Sequence, residues 1–275
     1  MSALTFTLKQ RPAQPVDLSP LVPDLLQGMT AREIGGIPLL CGNRTLRADE
    51  LFDISGNDAN DIHIKGSCDR LEHIGARLEG GHITVEGDAG PHLGQHMRGG
   101  EIHVRGNAGD WLAAEMHGGY IEIAGNAGDF VGAALPGERK GMYGGLVFIR
   151  GNAGQRVGDH MRRGIVYIKG NAGDYCGSRM GGGNIIVLGK AGAFTGYGMK
   201  RGTLILMQNP SQLPATFNDS GVHELLFLRL LFQNLLRHDL DPQMTQVAGS
   251  LGRVRRYVGD VGGGGKGEVL VRVSP

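Results

Sequence analysis

The sequence predicts a mainly β chain wound as a right-handed parallel β-helix of about seven rungs, with an N-terminal cap, one C-terminal α-helix and a tail. Three observations predict it. A glycine closes a short apolar segment at Gly66, Gly87, Gly106, Gly125, Gly151, Gly170 and Gly189, at intervals of 21, 19, 19, 26, 19 and 19 residues. A fixed period in this range marks a stacked repeat. Before these glycines, pairs such as Ile83/Val85, Ile102/Val104, Ile121/Ile123, Val147/Ile149, Val166/Ile168 and Ile185/Val187 alternate with variable residues, the period-two pattern of a half-buried strand. The long interval exceeds the others by seven residues, which fit Leu135 to Gly141 as one inserted loop.

Three parts are expected: a cap over 1–50, the repeats over 51–208 and a helix with a docking arm over 209–275. In the cap, Leu4 to Lys9 alternates and reads as a strand. Ser19-Pro20 has the form of an N-cap followed by proline at the first helical position, for a short helix ending at Gly28. Thr30 and Glu33 have the spacing of a capping box. Leu46 to Ser55 then leads into the repeats, and the whole segment covers the first rung, as a terminal repeat requires.

Inside each repeat, the alanine of Gly-Asn-Ala-Gly is small enough to turn inward at a corner (Ala108, Ala127, Ala153, Ala172), and the glycine after it needs a positive φ or a close backbone approach. A methionine column at Met97, Met116, Met142, Met161, Met180 and Met199 fills the interior. Asn107, Asn126, Asn152 and Asn171 fall in register and are expected to stack as an amide ladder. Seven rungs spaced about 4.8 Å apart give a height of roughly 33 Å.

After Gln208, Asn209 to Pro214 reads as a linker. From Asp219 or Ser220 as N-cap, a helix is expected to run through His238, apolar almost all round and therefore buried on two sides. The outward position between the paired core residues reads His63, Thr84, His103 and Glu122, then Phe148, Tyr167, Ile186 and Ile205. That apolar stripe is covered either by the C-terminal helix or by another protein. Arg253 to Val258 and Glu268 to Val273 are expected as short strands flanking Gly262 to Gly267, in a tail that reaches onto a neighbour.

Composition excludes several classes. The 275 residues carry a net charge of +1, with no bulk electrostatic reason to bind nucleic acid. Cys41, Cys68 and Cys176 are scattered and odd in number, which argues against a disulfide framework and provides neither an iron–sulfur nor a zinc site. The apolar run of the C-terminal segment is too short for a bilayer, with Arg229 at its centre. No basic segment followed by an apolar run opens the sequence, so a cytoplasmic protein is expected. The 49 glycines come from the repeats; Gly262 to Gly267 lacks the Walker pattern, and the ten histidines form no metal-ligand spacing. His96 and His160 share a column with Glu115 and Arg179, a variable outward position. No Ser/His/Asp or Cys/His grouping stands out.

One candidate site remains. Arg98, Arg162, Arg163, Lys200 and Arg201 follow the methionine column, with Arg179 one column earlier and Arg139 and Lys140 in the inserted loop. Stacking would align them as a basic ridge suited to an extended anion such as a chain of carboxylates. The alternative is a solvated edge paired with Asp159, Asp174 and Glu138.

The repeat unit G-x-x-M-x-x-G-x-I-x-V-x-G occurs as GQHMRGGEIHVRG (94–106), GDHMRRGIVYIKG (158–170) and GSRMGGGNIIVLG (177–189), with looser copies from Gly75, Ala113, Arg139 and Gly196. It resembles the C subunit of formylmethanofuran dehydrogenase and its bacterial relative in the formyltransferase/hydrolase complex. The C-terminal domain of the glutamate synthase large subunit shares the motif. The resemblance covers Leu46 to Gln208 and includes LFDISGND (51–58) and MYGG (142–145). It implies a non-catalytic subunit that binds no cofactor, its metals and clusters belonging to other subunits. The implied partners are a formyltransferase subunit, an amidohydrolase-like subunit and a further subunit of the same complex, with no nucleic acid or membrane. The implied process is formyl transfer between a methanofuran-type carrier and tetrahydromethanopterin, with release of formate. The carrier's polyglutamate tail would be the anion for the basic ridge. The alternative assignment is to the tungsten or molybdenum dehydrogenase.

Overall fold

Alternation places Leu4 and Phe6 of strand β1 (Ala3–Leu8) inward, and both are buried. The computed structural model describes residues 2–210, 212–236 and 252–273. After β2 (Val16–Asp17), the expected helix at Pro20 is displaced: α1 (Pro23–Leu26) starts with Pro23, preceded by Val22 as N-cap. The reason is local. Asp17 Oδ1 accepts the Ser19 N–H at 2.8 Å and Leu18 O accepts the Leu21 N–H, so Ser19 is committed to a turn. The capping box forms as read at α2 (Ala31–Gly35), where Thr30 Oγ1 accepts the Glu33 N–H and Glu33 Oε2 accepts the Thr30 N–H.

Leu46 to Ser55 does not lead straight into the repeats. It follows β3 (Pro38–Cys41) as the end of β4 (Arg44–Arg47), then the one-turn α3 (Ala48–Leu51) and β5 (Phe52–Ser55), which runs antiparallel to β1. β1 is thereby held between β5 and the parallel β6 (Asp58–Ser67), and β7 (Leu71–Glu72) pairs with β2 in a second sheet.

From there the repeats stack. β8 (His82–Gly87), β9 (Glu101–Val104), β10 (Tyr120–Ile123), β11 (Leu146–Ile149), β12 (Ile165–Ile168), β13 (Gly181–Val187) and β14 (Arg201–Leu206) are parallel neighbours. Equivalent positions face each other: Ile102 opposite Ile121, Ile121 opposite Val147, Val166 opposite Ile185. Tyr120 pairs with Leu146, so the extra residues between β10 and β11 loop out without shifting the register. At the next corner, the alanine column bridges in parallel from Ala89 to Ala191. The paired core residues and the methionine column are buried throughout.

The glycine after each alanine answers to close approach and not to a positive φ. A Cβ on Gly173 would lie 2.8 Å from both C and O of Gly154 in the preceding turn. The asparagine ladder is present: Asn107 Oδ1 accepts the Asn126 N–H at 2.9 Å, Asn126 that of Asn152 at 2.8 Å, and Asn152 that of Asn171 at 2.8 Å. It starts one turn earlier, from Asp88, and ends on the Lys190 N–H. A second ladder runs beside it through Asp110 and Asp129.

The sheet is mixed. Its order among the described residues is β15-β16-β17-β14-β13-β12-β11-β10-β9-β8-β6-β1-β5, with β15 (Asn218–His223), β16 (Val254–Gly259) and β17 (Gly267–Arg272) beyond the last repeat. β17 adds in parallel to β14, and β16 and β15 turn back antiparallel. The described strands of the tail therefore extend the chain's own sheet. The free edge of β14 explains this, since it presents the next set of unpaired backbone groups.

The C-terminal helix starts later than the sequence suggests. Asp219 and Ser220 are not its N-cap: they lie in β15, where Arg255 Nε donates to Asp219 Oδ2 at 2.9 Å. Helix α4 spans Leu226–Leu236, while Arg237 and His238 lie outside the described residues. Leu228, Phe232 and Leu235, spaced for one helical face, are buried on Phe148, Tyr167, Ile186 and Ile205. The apolar stripe is covered within the chain. The opposite face is not buried: Leu226, Phe227 and Leu230 are 70%, 40% and 62% exposed.

Asn152→Ala leaves the Asn171 N–H without its acceptor in a water-exposed ladder; a loss of about 1–2 kcal/mol in urea-unfolding stability is expected. Asn152→Asp, which keeps an acceptor oxygen, should lose less. Phe232→Ala empties the contact between α4 and the sheet and should cost about 3–5 kcal/mol. Hydrogen exchange would show the α4 amides losing protection while those of β9 and β10 keep theirs.

Candidate functional site

The basic ridge is not continuous. Arg98 Nη1 lies 3.3 Å from Glu79, and the next two positions of its column are His117 and Tyr143, whose ring centroids are 4.7 Å apart. Arg179 is committed to the buried carboxylate of Asp159, with Nε at 3.0 Å and Nη2 at 2.6 Å, and Asp159 also accepts from Ser178 Oγ at 2.7 Å. Asp174, which the sequence offers as a surface partner, instead accepts the Ala193 N–H. Lys200 and Arg201 are exposed at the start of β14, separated from Arg162 by Gly181, which contributes no side chain to the column.

What the fold does assemble is a groove of about 430 Å³ lined by Lys140, Tyr143, Arg162 and Arg163. The inserted loop forms one side of it: the Gly141 N–H donates to His160 O, and Arg162 Nη2 approaches Arg139 O at 3.5 Å. Three cations and a phenol around one concavity suit an oligo-anion. Lys140 enters this set only because the seven extra residues between β10 and β11 are looped out.

Two further groups were not legible as sites. Glu122 accepts from Arg150 Nε at 2.7 Å and lies 3.2 Å from His103 Nδ1. The His103 hydrogen bond, then Arg150, holds its carboxyl down at about 2 against the opposing effect of burial. Arg150 also lies over the Phe148 ring, 5.2 Å from its centroid, so this network seals the edge of the helix-covered stripe. The second group is a column two residues after the corner glycine. His73, His92, Trp111 and Phe130 stack with centroids 4.7, 6.3 and 4.3 Å apart, and beyond them Arg156 lies over Tyr175, which stacks on Phe194. The recurrence of flat side chains at the repeat spacing was the available signal.

Among the described residues no group of three or more His, Cys, Asp or Glu could hold a metal ion, and no helix is long and apolar enough to cross a membrane.

Comparison with known proteins adds the family. A family model described as "GXGXG motif" matches residues 82–227. The C subunit of tungsten-containing formylmethanofuran dehydrogenase 2 from Methanococcus maripaludis is 35% identical over 92 residues, 33% of this chain and 34% of that protein. The C subunit of the formyltransferase/hydrolase complex Fhc from Methylorubrum extorquens is 40% identical over 86 residues, 31% of this chain and 32% of that protein. The aligned segment thus spans about a third of the length of these curated relatives. The X-ray crystal structure of the formyltransferase/hydrolase complex (FhcABCD) from Methylorubrum extorquens, in complex with methylofuran, contains a chain that superposes with a TM-score of 0.92 at 37% identity, covering 98% of this chain and 100% of that one. The chain belongs to the GXGXG motif family and is a homologue of the C subunits of formylmethanofuran dehydrogenase and of the formyltransferase/hydrolase complex.

Proposed function

We propose that the chain is a non-catalytic structural subunit of a formyltransferase/hydrolase-type complex, supporting formyl transfer between a methanofuran-type carrier and tetrahydromethanopterin, with release of formate. The observation that carries this reading is the match to one chain of the solved complex over nearly the full length of both. The repeated polar side chains agree with it, since the asparagine and aspartate ladders are spent on backbone N–H groups of the next turn. The partners are the formyltransferase, amidohydrolase-like and further subunits of that complex. The three thiols are free, as suits the reducing cytoplasm.

In finer terms the repeats form a right-handed parallel β-helix of seven rungs, supported by the unbroken parallel register from Ile83 to Leu204. Residues 1–50 cap it and 209–275 carry the docking surface. Docking falls to the outer face of α4, at Leu226, Phe227 and Leu230, because the Phe148/Tyr167/Ile186/Ile205 stripe is already covered. The ridge residues Arg98, Arg162, Arg163, Arg179, Lys200 and Arg201 reduce to a smaller anion site: Arg162 and Arg163, with Lys140, would hold the carrier's polyglutamate tail. A second reading, the C subunit of a tungsten or molybdenum formylmethanofuran dehydrogenase, is favoured by the 35% identity to the methanococcal protein.

Co-expression with formyltransferase-type and amidohydrolase-type subunits should give one peak in size-exclusion chromatography that survives high salt, as apolar docking does. Leu226→Asp with Leu230→Asp should separate the chain from it without loss of fold, both side chains being largely exposed. Separate elution of the unmodified chain would sink the structural-subunit reading. Independently, an oligo-glutamate peptide should bind and weaken steeply between about 0.05 and about 0.3 M salt. Arg162→Glu with Arg163→Glu should abolish that binding; equal binding by the variant would remove the anion site.

A further inference from the structure

The aromatic column ends at His73. His92 covers one face of the His73 ring, with centroids 4.7 Å apart and planes 8° from parallel. The position below it in register belongs to Leu18, whose N–H donates to Glu72 O just as the His92 N–H donates to Asp110 O one turn up. Leu18 does not continue the stack. Its φ is not in the left-handed region that turns His73 (φ 57°) and His92 (φ 65°) outward, and its side chain is 1% exposed in the core. Leu18 therefore adds no side chain at the next step of the stack, and a cavity of about 550 Å³ is lined by His73 together with residues of the 17–25 segment. That volume is in the range of small-molecule sites.

The lining defines what would fit. Pro20, Val22, Leu25 and Ala76 supply apolar walls. Asp17 spends Oδ1 on the Ser19 N–H and Asp24 spends Oδ2 on the Glu79 N–H at 3.1 Å, which leaves the second oxygen of each carboxylate for an incoming donor. Arg77 and His96 also line the cavity. A ring stacked on one face by His92 and lining a cavity with carboxylate acceptors is complementary to a flat ring that carries N–H groups.

We infer that this cavity binds an amino-substituted planar nitrogen heterocycle, stacked on His73 as the missing member of the column and hydrogen-bonded through its N–H groups to Asp17 and Asp24. The inference stands on the His73 stack and the cavity, and it does not depend on membership of any complex.

Adenosine, with purine riboside as the same ring lacking the exocyclic amine, tests it by isothermal titration of the full chain. Adenosine should bind saturably with a Kd below about 1 mM, and purine riboside several-fold more weakly. His73→Ala should weaken adenosine about tenfold, the scale of one lost stacking contact, while His73→Phe keeps a flat ring and most of the affinity. Asp24→Asn should also weaken adenosine, with the far-ultraviolet dichroism of the parent, and gives a second reading if His73→Ala does not fold. Absence of saturable binding by adenosine, guanosine and cytidine alike would overturn the proposal. So would an affinity unchanged in His73→Ala, or in Asp24→Asn where His73→Ala does not fold.

Discussion

The structure depends on one constraint: backbone groups of each turn hydrogen-bond to the same positions of the next. From Ala108 to Ala191 and from Ile83 to Leu204 the pairing is parallel and residue-matched. A parallel ladder of this kind allows no slippage, because a one-residue shift would turn every inward side chain outward. It also carries the consequence of any local change to the turns on both sides. The loop between β10 and β11 is tolerated because it leaves Tyr120 opposite Leu146.

Close stacking dictates the side chains as well. Where the backbones of adjacent turns meet at the Gly173 corner, no Cβ fits. On the arm that follows, alternate residues hold φ near +60°, including Trp111 (63°), Phe130 (63°) and Tyr175 (60°). The left-handed region costs a non-glycine residue roughly 1–2 kcal/mol. Here it turns bulky side chains outward where Trp111 lies flat on Phe130 and Tyr175 on Phe194, and ring stacking recovers about 0.5–1.5 kcal/mol per pair. The strain and the stack are two aspects of the same geometry.

The outer face of the sheet divides along its length. Towards the N-terminal end it carries the His103, Glu122 and Arg150 network; beyond Phe148 it is apolar and roofed by α4. Covering the stripe with its own helix removes one surface for association and creates another, since the helix brings Leu226 and Leu230 to the outside. The sheet beneath the helix is already covered by the chain itself.

The sequence by itself determined the turns. The 19-residue period, the paired residues such as Ile102/Val104, the Met97 to Met199 column and the Asn107 to Asn171 ladder were all legible because each repeat states the same local demand and the fold adds nothing to it. Thr30 and Glu33 were legible for a similar reason, a capping box being closed within four residues. Tertiary structure alone decided the ends and the sites. Asn218 to His223 is a strand because β16 offers it an edge, although its sequence runs into a helix. Arg98 and Arg162 share a column yet are parted by His117 and Tyr143, and Arg179 is bound to Asp159 instead of standing free. Lys140 joins Arg162 through a loop whose path no period describes. Period and pattern record what a residue does with its own turn; which edge, cavity or charge it meets from elsewhere is set by how distant segments pack.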